Sequence, residues 1–206
     1  PVDSSEEFHI TVKNNKDDYD YEPPLNAVEN DENGHPKFEQ SLALNFTNLK
    51  PGHLALAQRN TNDREKNYTG YKKLKIWVKG HSGQGKFLLR LASTDGDSSP
   101  FYQYTGSLTA GWEELSLNLE DLSSLKKLVP DSLGFRSQGA YAVKGTPNLA
   151  NIGALYLGVL NPDTLTPFYS DEVWFDNLRL DEARRDRGTA VIASARIGVA
   201  DLLSLS

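Results

Sequence analysis

The chain has 206 residues, 38% of them hydrophobic, which predicts one folded domain of ordinary size, alone or with an appendage. Its net charge of −6 argues against nucleic acid as a partner, and the absence of cysteine excludes disulfide bonds, thiol catalysis and cysteine-based zinc sites. No apolar run is long enough for a transmembrane helix. Because the sequence begins with Pro1 and contains no methionine, we interpret it as a processed or excised part of a longer product.

The first predicted strand is followed by a long acidic loop. Phe8, Ile10 and Val12 alternate with polar residues, which is typical of a half-buried strand. Residues 14–37 are polar and rich in Asp and Glu, but they lack the residue spacing of a calcium-binding loop. We therefore predict a solvated acidic loop, and we assign residues 1–37, strand and loop together, to the β-sandwich predicted below.

The next strands present a tryptophan among lysines. Alternating apolar residues predict strands at 40–47, around Leu54 and Leu56, and at 71–79. The polar face of the last strand carries Lys73, Lys75, Trp77 and Lys79. Trp77 is suited to stacking a sugar ring or docking a partner, although cover by a neighbouring loop or by the lysine stems explains it equally well. These four residues form a possible interaction surface.

A glycine-rich connector follows at 80–87. It approaches the pattern of a phosphate-binding loop, but Phe87 stands where Ser or Thr must hold magnesium. The segment that follows alternates as another strand, whereas a phosphate loop must open a helix. The connector also lacks the last glycine of the nucleophile elbow of serine hydrolases. A flexible hairpin loop is the better interpretation.

The second half of the chain contains further strands and one helix. Strands are predicted at 101–105 and 112–119, and a compact apolar strand at 153–161 is placed centrally because both its faces are apolar. Leucines recur at a spacing of three in 120–129, where Asp121 can cap the start and a proline ends the segment, so a short helix is predicted there.

The closing stretch, 172–180, alternates with a slip of phase. Val173 and Phe175 stand at odd positions, whereas Leu178 and Leu180 stand at even positions. The slip predicts either a bulge at Asp176 or a strand covered on both faces. Asp176 is a candidate calcium ligand or ligand-facing carboxylate; the alternative is a carboxylate that accepts backbone N–H bonds at the bulge.

The C-terminal segment, 181–206, begins as a charged turn and then resumes alternation over 189–205. About 9–11 residues of such alternation form one strand of an outer-membrane β-barrel, but an edge strand of a soluble sheet has the same pattern. The candidate membrane strand comprises Val191, Ala193, Ala195, Ile197 and Val199.

Together these elements predict an all-β fold. About nine or ten strands with turn signals between them, and one short helix, indicate an antiparallel β-sandwich of jelly-roll or galactose-binding-like type over 38–180, with a C-terminal extended strand. The predicted core comprises Leu42, Leu44, Phe46, Leu74, Ile76, Val78, Leu89, Leu91, Leu117, Leu157, Val159, Val173 and Phe175.

No catalytic or cofactor-binding residues are predicted. The four histidines are scattered, without a metal-binding spacing. The adjacent carboxylates Glu113 and Glu114 point to opposite faces of a strand, so they cannot act together on one bond. We therefore expect a protein that is not an enzyme and that needs no cofactor.

Four stretches taken in order resemble a known family. They are 38–46 (FEQSLALNF), 71–78 (YKKLKIWV), 143–152 (VKGTPNLANI) and 172–180 (EVWFDNLRL). Their order and spacing resemble a module of the SprA/Sov family, the giant outer-membrane translocon of type IX secretion, which is also linked to gliding motility. The resemblance extends over most of 38–205.

The resemblance implies a structural and interaction module of a protein-export pore in the outer membrane or at the cell surface. Its expected partners are the rest of a large chain, other secretion-system proteins, secreted cargo and, through the C-terminal strand, membrane lipid. At Phe175-Asp176-Asn177 the chain departs from the family pattern and is closer to the last strand of carbohydrate-binding jelly rolls. The alternative is therefore a carbohydrate-binding module of a secreted or cell-surface protein.

Overall fold

The computed structural model describes residues 5–24, 30–35, 37–62, 66–96, 98–166 and 171–184. The described part contains one short helix, α1, at Leu119–Ser124, which continues as a 3-10 turn at Leu125–Lys127. Its strands are β1 (Glu7–Asn14), β2 (Gln40–Thr47), β3 (Leu54–Asn60), β4 (Tyr71–Gly80), β5 (Lys86–Ala92), β6 (Phe101–Ser107), β7 (Gly111–Asn118), β8 (Phe135–Gln138), β9 (Tyr141–Lys144), β10 (Ala154–Leu160) and β11 (Asp171–Ala183).

The strands form two antiparallel sheets packed face to face. One sheet has the order β1-β2-β11-β4-β7 and the other β3-β10-β5-β6-β9-β8. Without β1, β8 and β9, the facing sets are β2-β11-β4-β7 and β3-β10-β5-β6. The first and last strands of these eight lie side by side, and most connections pass from one sheet to the other, which is the jelly-roll topology. The predicted all-β jelly-roll sandwich is therefore confirmed.

The hydrophobic core lies between the sheets, where alternate residues of every long strand point inward. All thirteen side chains of the predicted core belong to the main buried cluster. Half-buried Phe8 and Ile10 of β1 pack against the same cluster, so the N-terminal strand shares the core.

The predicted slip in the closing strand is a β-bulge. The pairing of β11 with β4 shifts register between Asp176 and Arg179, and Asn177 lies in the left-handed region at φ 47°. The extra residue restores the phase, so that Val173 before the bulge and Leu178 after it are both fully buried.

Two local predictions are wrong. The connector after β4 is not a hairpin, because β4 belongs to the five-stranded sheet and β5 to the six-stranded sheet; it crosses between them. The helix begins earlier than predicted and is shorter, because the Asn118 side chain, not Asp121, accepts the N–H of Glu120 as the cap. Consequently Leu128, predicted to lie on the apolar face, is 39% exposed.

The residues of β3 that face the core are not the leucines that alternation in its sequence indicates. Ala55 and Ala57 face the core, whereas Leu54 is 41% exposed and Leu56 packs on the outer surface of the six-stranded sheet. The predicted membrane strand at 189–205 lies outside the described residues. No helix in the described ranges is both long and apolar enough to cross a membrane.

Candidate ligand-binding face

All three tryptophans of the chain lie on the outer face of the five-stranded sheet. We call this surface the tryptophan face. In one row across the strands, Trp174 of β11 pairs with Lys79 of β4, and Lys79 pairs with Trp112 of β7. In the next row, Trp77 of β4 lies between Asp176 and Glu114. Strand alternation explains this placement, because each of these residues alternates with core residues of its own strand.

Trp174 is covered although it points away from the core. Its side chain is 2% exposed. Tyr21 stacks on its ring with centroids 5.7 Å apart and an interplanar angle of 20°, and His81 approaches edge-on at 5.1 Å. The ammonium of Lys79 lies 4.4 Å from the ring centroid, within the range of a cation–π interaction.

The cover over Trp174 is the segment 15–24, which we call the strap. The strap leaves the end of β1, and Tyr21, which is 7% exposed, lies over Trp174 and Ala43. At its far end, Trp112 Nε1 donates to the carbonyl oxygen of Glu22 at 2.9 Å. The strap thus crosses the tryptophan face from edge strand β1 to edge strand β7. The acidic residues Asp17, Asp20 and Glu22 are exposed, as the predicted solvated loop requires, but Tyr21 is buried against the sheet.

Asp176 is held by hydroxyl groups. Its Oδ2 atom accepts hydrogen bonds from Tyr21 Oη at 3.1 Å and from Ser41 Oγ at 3.0 Å. Burial raises the pKa of the Tyr21 phenol, so the phenol stays protonated and can donate. Among the described residues, no group of three or more His, Asp and Glu side chains is arranged to hold a metal ion. The two donors described here are side-chain hydroxyl groups.

The predicted lysine surface lies on the tryptophan face, but its lysines are engaged. Lys73 forms an ion pair with Glu182, and Lys75 is 2.9 Å from Asp181 and 3.8 Å from Glu114. The hydrogen bond between Lys75 and Asp181 raises the pKa of the lysine and lowers the pKa of the carboxyl group. This ladder of charges borders Trp77, which remains half-buried.

Glu114 also pairs with Arg179, which follows the bulge. The carboxylate therefore lies between two cations, one on β4 and one on β11. The bulge is responsible for this arrangement, since it returns Arg179 to the outer face after Asp176.

Three buried polar atoms on the tryptophan face have no hydrogen-bond partner in the described structure: Trp77 Nε1, Trp174 Nε1 and Glu172 Oε1. Two are donors and one is an acceptor. Buried polar groups are paired in most folded proteins, so unpaired ones mark a place where an additional polar group fits.

The outer face of the six-stranded sheet carries a second aromatic and polar cluster, which sequence reasoning missed. The guanidinium of Arg90 lies 3.8 Å from the ring centroid of Phe101 and donates to Gln103 Oε1 from Nε at 3.2 Å and from Nη2 at 2.8 Å. Tyr156 lies beside it, and its hydroxyl accepts the N–H of Gly96 at 3.2 Å. Only the alternation of β5 and β6 could have indicated this cluster.

No protein-family model matches the chain, and no curated protein matches it. Among solved structures, the chain is similar to a family 11 carbohydrate-binding module from Clostridium thermocellum, at 13% identity and a TM-score of 0.46 over 87% of this chain and 88% of that one. It is similar to a family 30 carbohydrate-binding module, at 13% identity and a TM-score of 0.43 over 81% and 77%. An exo-β-agarase is similar at 14% identity and a TM-score of 0.51, over 91% of this chain but 25% of the agarase chain. At such identities the similarity is one of fold.

Proposed function

We propose that this β-sandwich is a non-catalytic binding module that takes a glycan on the tryptophan face. The observation that carries the proposal is the gathering of all three tryptophans on one outward face. Two of them, Trp77 and Trp112, are half-buried, and the indole N–H groups of Trp77 and Trp174 are unpaired in the described structure. Jelly-roll folds also serve as lectin domains.

The chemistry of the face matches that of a sugar. The flat side of a pyranose ring is apolar and packs against an aromatic plane, while its rim carries hydroxyl groups that donate and accept hydrogen bonds. Trp77 offers the plane, with carboxylates of Asp176 and Glu114 on the neighbouring strands. Trp112 is a diagonal neighbour of Trp77, at a typical separation of roughly 7–8 Å, and offers a second plane.

The same contacts favour binding over catalysis. Glu114 forms ion pairs with Arg179 and Lys75, and Asp176 accepts hydrogen bonds from two hydroxyl groups. Both carboxyl groups are thus engaged by neighbouring side chains, whereas hydrolysis of a glycosidic bond needs a pair of carboxyl groups that face the scissile bond.

The test is calorimetric titration with cello-, mixed-linked β-glucan and agaro-oligosaccharides, comparing the wild type with Trp77→Ala. We expect saturable binding of at least one oligosaccharide, weakened about tenfold or more by the substitution, which corresponds to about 1.4 kcal/mol. Phe135→Ala is the matched control, because Phe135 is a half-buried aromatic residue on the other sheet. Absence of binding by the wild type, or equal losses in the two variants, would refute the proposal.

A structural module of an outer-membrane export pore is the second candidate. One observation favours it beside the resemblance described above. Glu7, at the start of β1, lies at the same sheet end as Asp171, whereas Ala183, at the end of β11, lies at the opposite end. The described chain therefore enters the sandwich at one end and leaves it at the other. Its partners would be the remainder of the chain, other secretion-system proteins and exported cargo.

A further inference from the structure

The strap covers the centre of the tryptophan face through few contacts. Its root is a tight turn in which Asn14 Oδ1 accepts the N–H groups of Lys16 and Asp17. Beyond the turn, the described strap contacts the face through the stack of Tyr21 on Trp174, the contacts of the Tyr21 hydroxyl with Asp176 and Ser41, and the hydrogen bond from Trp112 to Glu22. Residues 15–24 contribute no strand pairing. Among the described residues, the strap is therefore held by hydrogen bonds at its root, where Asn15 also bonds to Lys37 and Glu39, and by the Tyr21 and Glu22 contacts beyond it.

Tyr21 makes the contacts that a sugar ring would make. Its flat ring stacks on an indole, and its hydroxyl donates to Asp176 Oδ2 at 3.1 Å and lies 3.0 Å from Ser41 Oγ. A serine hydroxyl and a carboxylate beside an aromatic plane are suited to bind sugar hydroxyl groups. The phenol satisfies only part of this site, because two buried polar atoms of β11 remain unpaired in the described structure.

Those two atoms are Trp174 Nε1 and Glu172 Oε1, which have no partner in the described part of the chain. Only 2% of Trp174 is exposed. Trp174 and Glu172 lie two positions apart on β11, so both point to the outer face of the sheet. One is a donor and the other an acceptor, so a ligand rim that carries hydroxyl groups can satisfy both.

We propose that Trp174, Ser41, Asp176 and Glu172 form a second, covered sugar subsite, which Tyr21 of the strap occupies until an oligosaccharide displaces it. The inference rests on the glycan-binding function proposed above and adds a site and its regulation. With the strap lifted, Trp77, Trp112 and Trp174 form one continuous aromatic surface across β4, β7 and β11. The ligand class is an oligosaccharide long enough to span more than one tryptophan.

The arrangement predicts that the strap lowers the apparent affinity. A site that is open only part of the time binds with its intrinsic affinity multiplied by the open fraction. Removing the Tyr21 ring raises that fraction, whereas removing only the hydroxyl raises it less, since the stack on Trp174 remains.

The first experiment measures oligosaccharide affinity by calorimetry for the wild type, Tyr21→Phe and Tyr21→Ala, with the panel named above. We expect affinity to rise in that order, several-fold for Tyr21→Ala. Acrylamide quenching of tryptophan emission, measured without sugar, should increase in the same order as Trp174 becomes accessible. Equal or weaker binding by Tyr21→Ala would overturn the inference, because it would make Tyr21 neutral or part of the binding surface.

A second experiment does not depend on the folding of Tyr21→Ala. Because the chain has no cysteine, a single spin label can be attached through Tyr19→Cys, on a fully exposed strap residue. Added oligosaccharide should increase the label's mobility, whereas a label at Leu133→Cys, exposed and remote from the strap, should not respond. A strap label that stays unchanged or becomes less mobile on binding would overturn the inference.

The two proposals fail in different ways. If the wild type binds sugar through Trp77 but the Tyr21 variants bind equally and the strap label does not respond, only the covered subsite is refuted. If no variant binds any oligosaccharide, both proposals are refuted.

Discussion

At the scale of single residues, Asn177 decides which side chains of β11 enter the core. Its positive φ accommodates the extra residue of the bulge. Without that residue, Leu178 and Leu180 would follow the parity of Trp174 and face outward. Asparagine tolerates the left-handed region because its short polar side chain can hydrogen-bond locally, whereas a β-branched residue is strained there.

We therefore expect Asn177→Val to destabilise the fold by about 1–2 kcal/mol, because the left-handed conformation costs ordinary residues that amount. Asn177→Gly should be close to neutral, since glycine adopts a positive φ freely. Urea unfolding followed by circular dichroism measures both. Equal stabilities for the valine and glycine variants would contradict this role of the bulge.

At the scale of elements, the strap depends on the turn that roots it in β1. Asp18 Oδ2 accepts the backbone N–H of Asn14 at 2.9 Å, and its Oδ1 lies 3.4 Å from Lys13 Nζ. The hydrogen bond from Asn14, followed by the interaction with Lys13, holds the pKa of Asp18 below its usual value. This carboxylate thus links the acidic strap to the end of the sheet.

A pH dependence follows from that lowered pKa. Because the folded pKa lies below the unfolded one, the stabilisation is fully present above the unfolded value of about 3.9 and is lost as pH falls through the folded value. Asp18→Asn should lower the unfolding midpoint at pH 7, and the difference from wild type should shrink below about pH 4. Asp20→Asn, an exposed neighbour on the strap, is the control. A difference that stays constant from pH 7 to pH 3 would argue against the assignment.

Alternation in the sequence predicted the long strands because their core residues are large and regular. The bounds 40–47 match β2, and every predicted core side chain is buried in the main cluster. Alternation gave the wrong inward face for β3, because Leu54 and Leu56 are more hydrophobic than the alanines that face the core. It also missed β8 and β9, because strands of four residues are too short to show a period.

The candidate site was only partly predictable for a related reason. Alternation placed Trp77 and its lysines on an outer face, which the structure bears out. The cover over Trp174 depends on a contact between Tyr21 and residues more than 150 positions away, such as Asp176. Nothing local distinguishes Tyr21, which is buried, from Tyr19, which is fully exposed two positions earlier.

At the scale of the whole molecule, the jelly roll follows from the arrangement of its strands. β2 and β11 are the first and last of the eight jelly-roll strands, yet they are neighbours. The closing strand therefore inserts between β2 and β4 and completes the five-stranded sheet. Loss of β11 would separate those strands and remove Trp174 and Asp176 from the face.

The export-pore candidate yields a prediction about the full-length protein in its membrane. If 189–205 is a membrane strand, Ile197→Arg places a charge on the lipid side, at a cost of about 2–4 kcal/mol near the midplane. We expect reduced outer-membrane assembly, measured by heat-modifiable migration and surface accessibility. Ser194→Arg is the matched control, because position 194 has the opposite parity and would face away from lipid. Normal assembly of the Ile197 variant would reject this placement.

The gathering of every tryptophan on one sheet also determines what optical spectroscopy can detect. Indole emission from this protein originates from the five-stranded sheet alone, whereas four tyrosines, Tyr102, Tyr104, Tyr141 and Tyr156, belong to strands of the six-stranded sheet. Coincident transitions by different probes are the mark of two-state unfolding. A tryptophan signal that changes before the far-ultraviolet dichroism would therefore show one layer of the sandwich opening ahead of the other. The tryptophan signal thus reports on the five-stranded layer, whereas the dichroism reports on both layers.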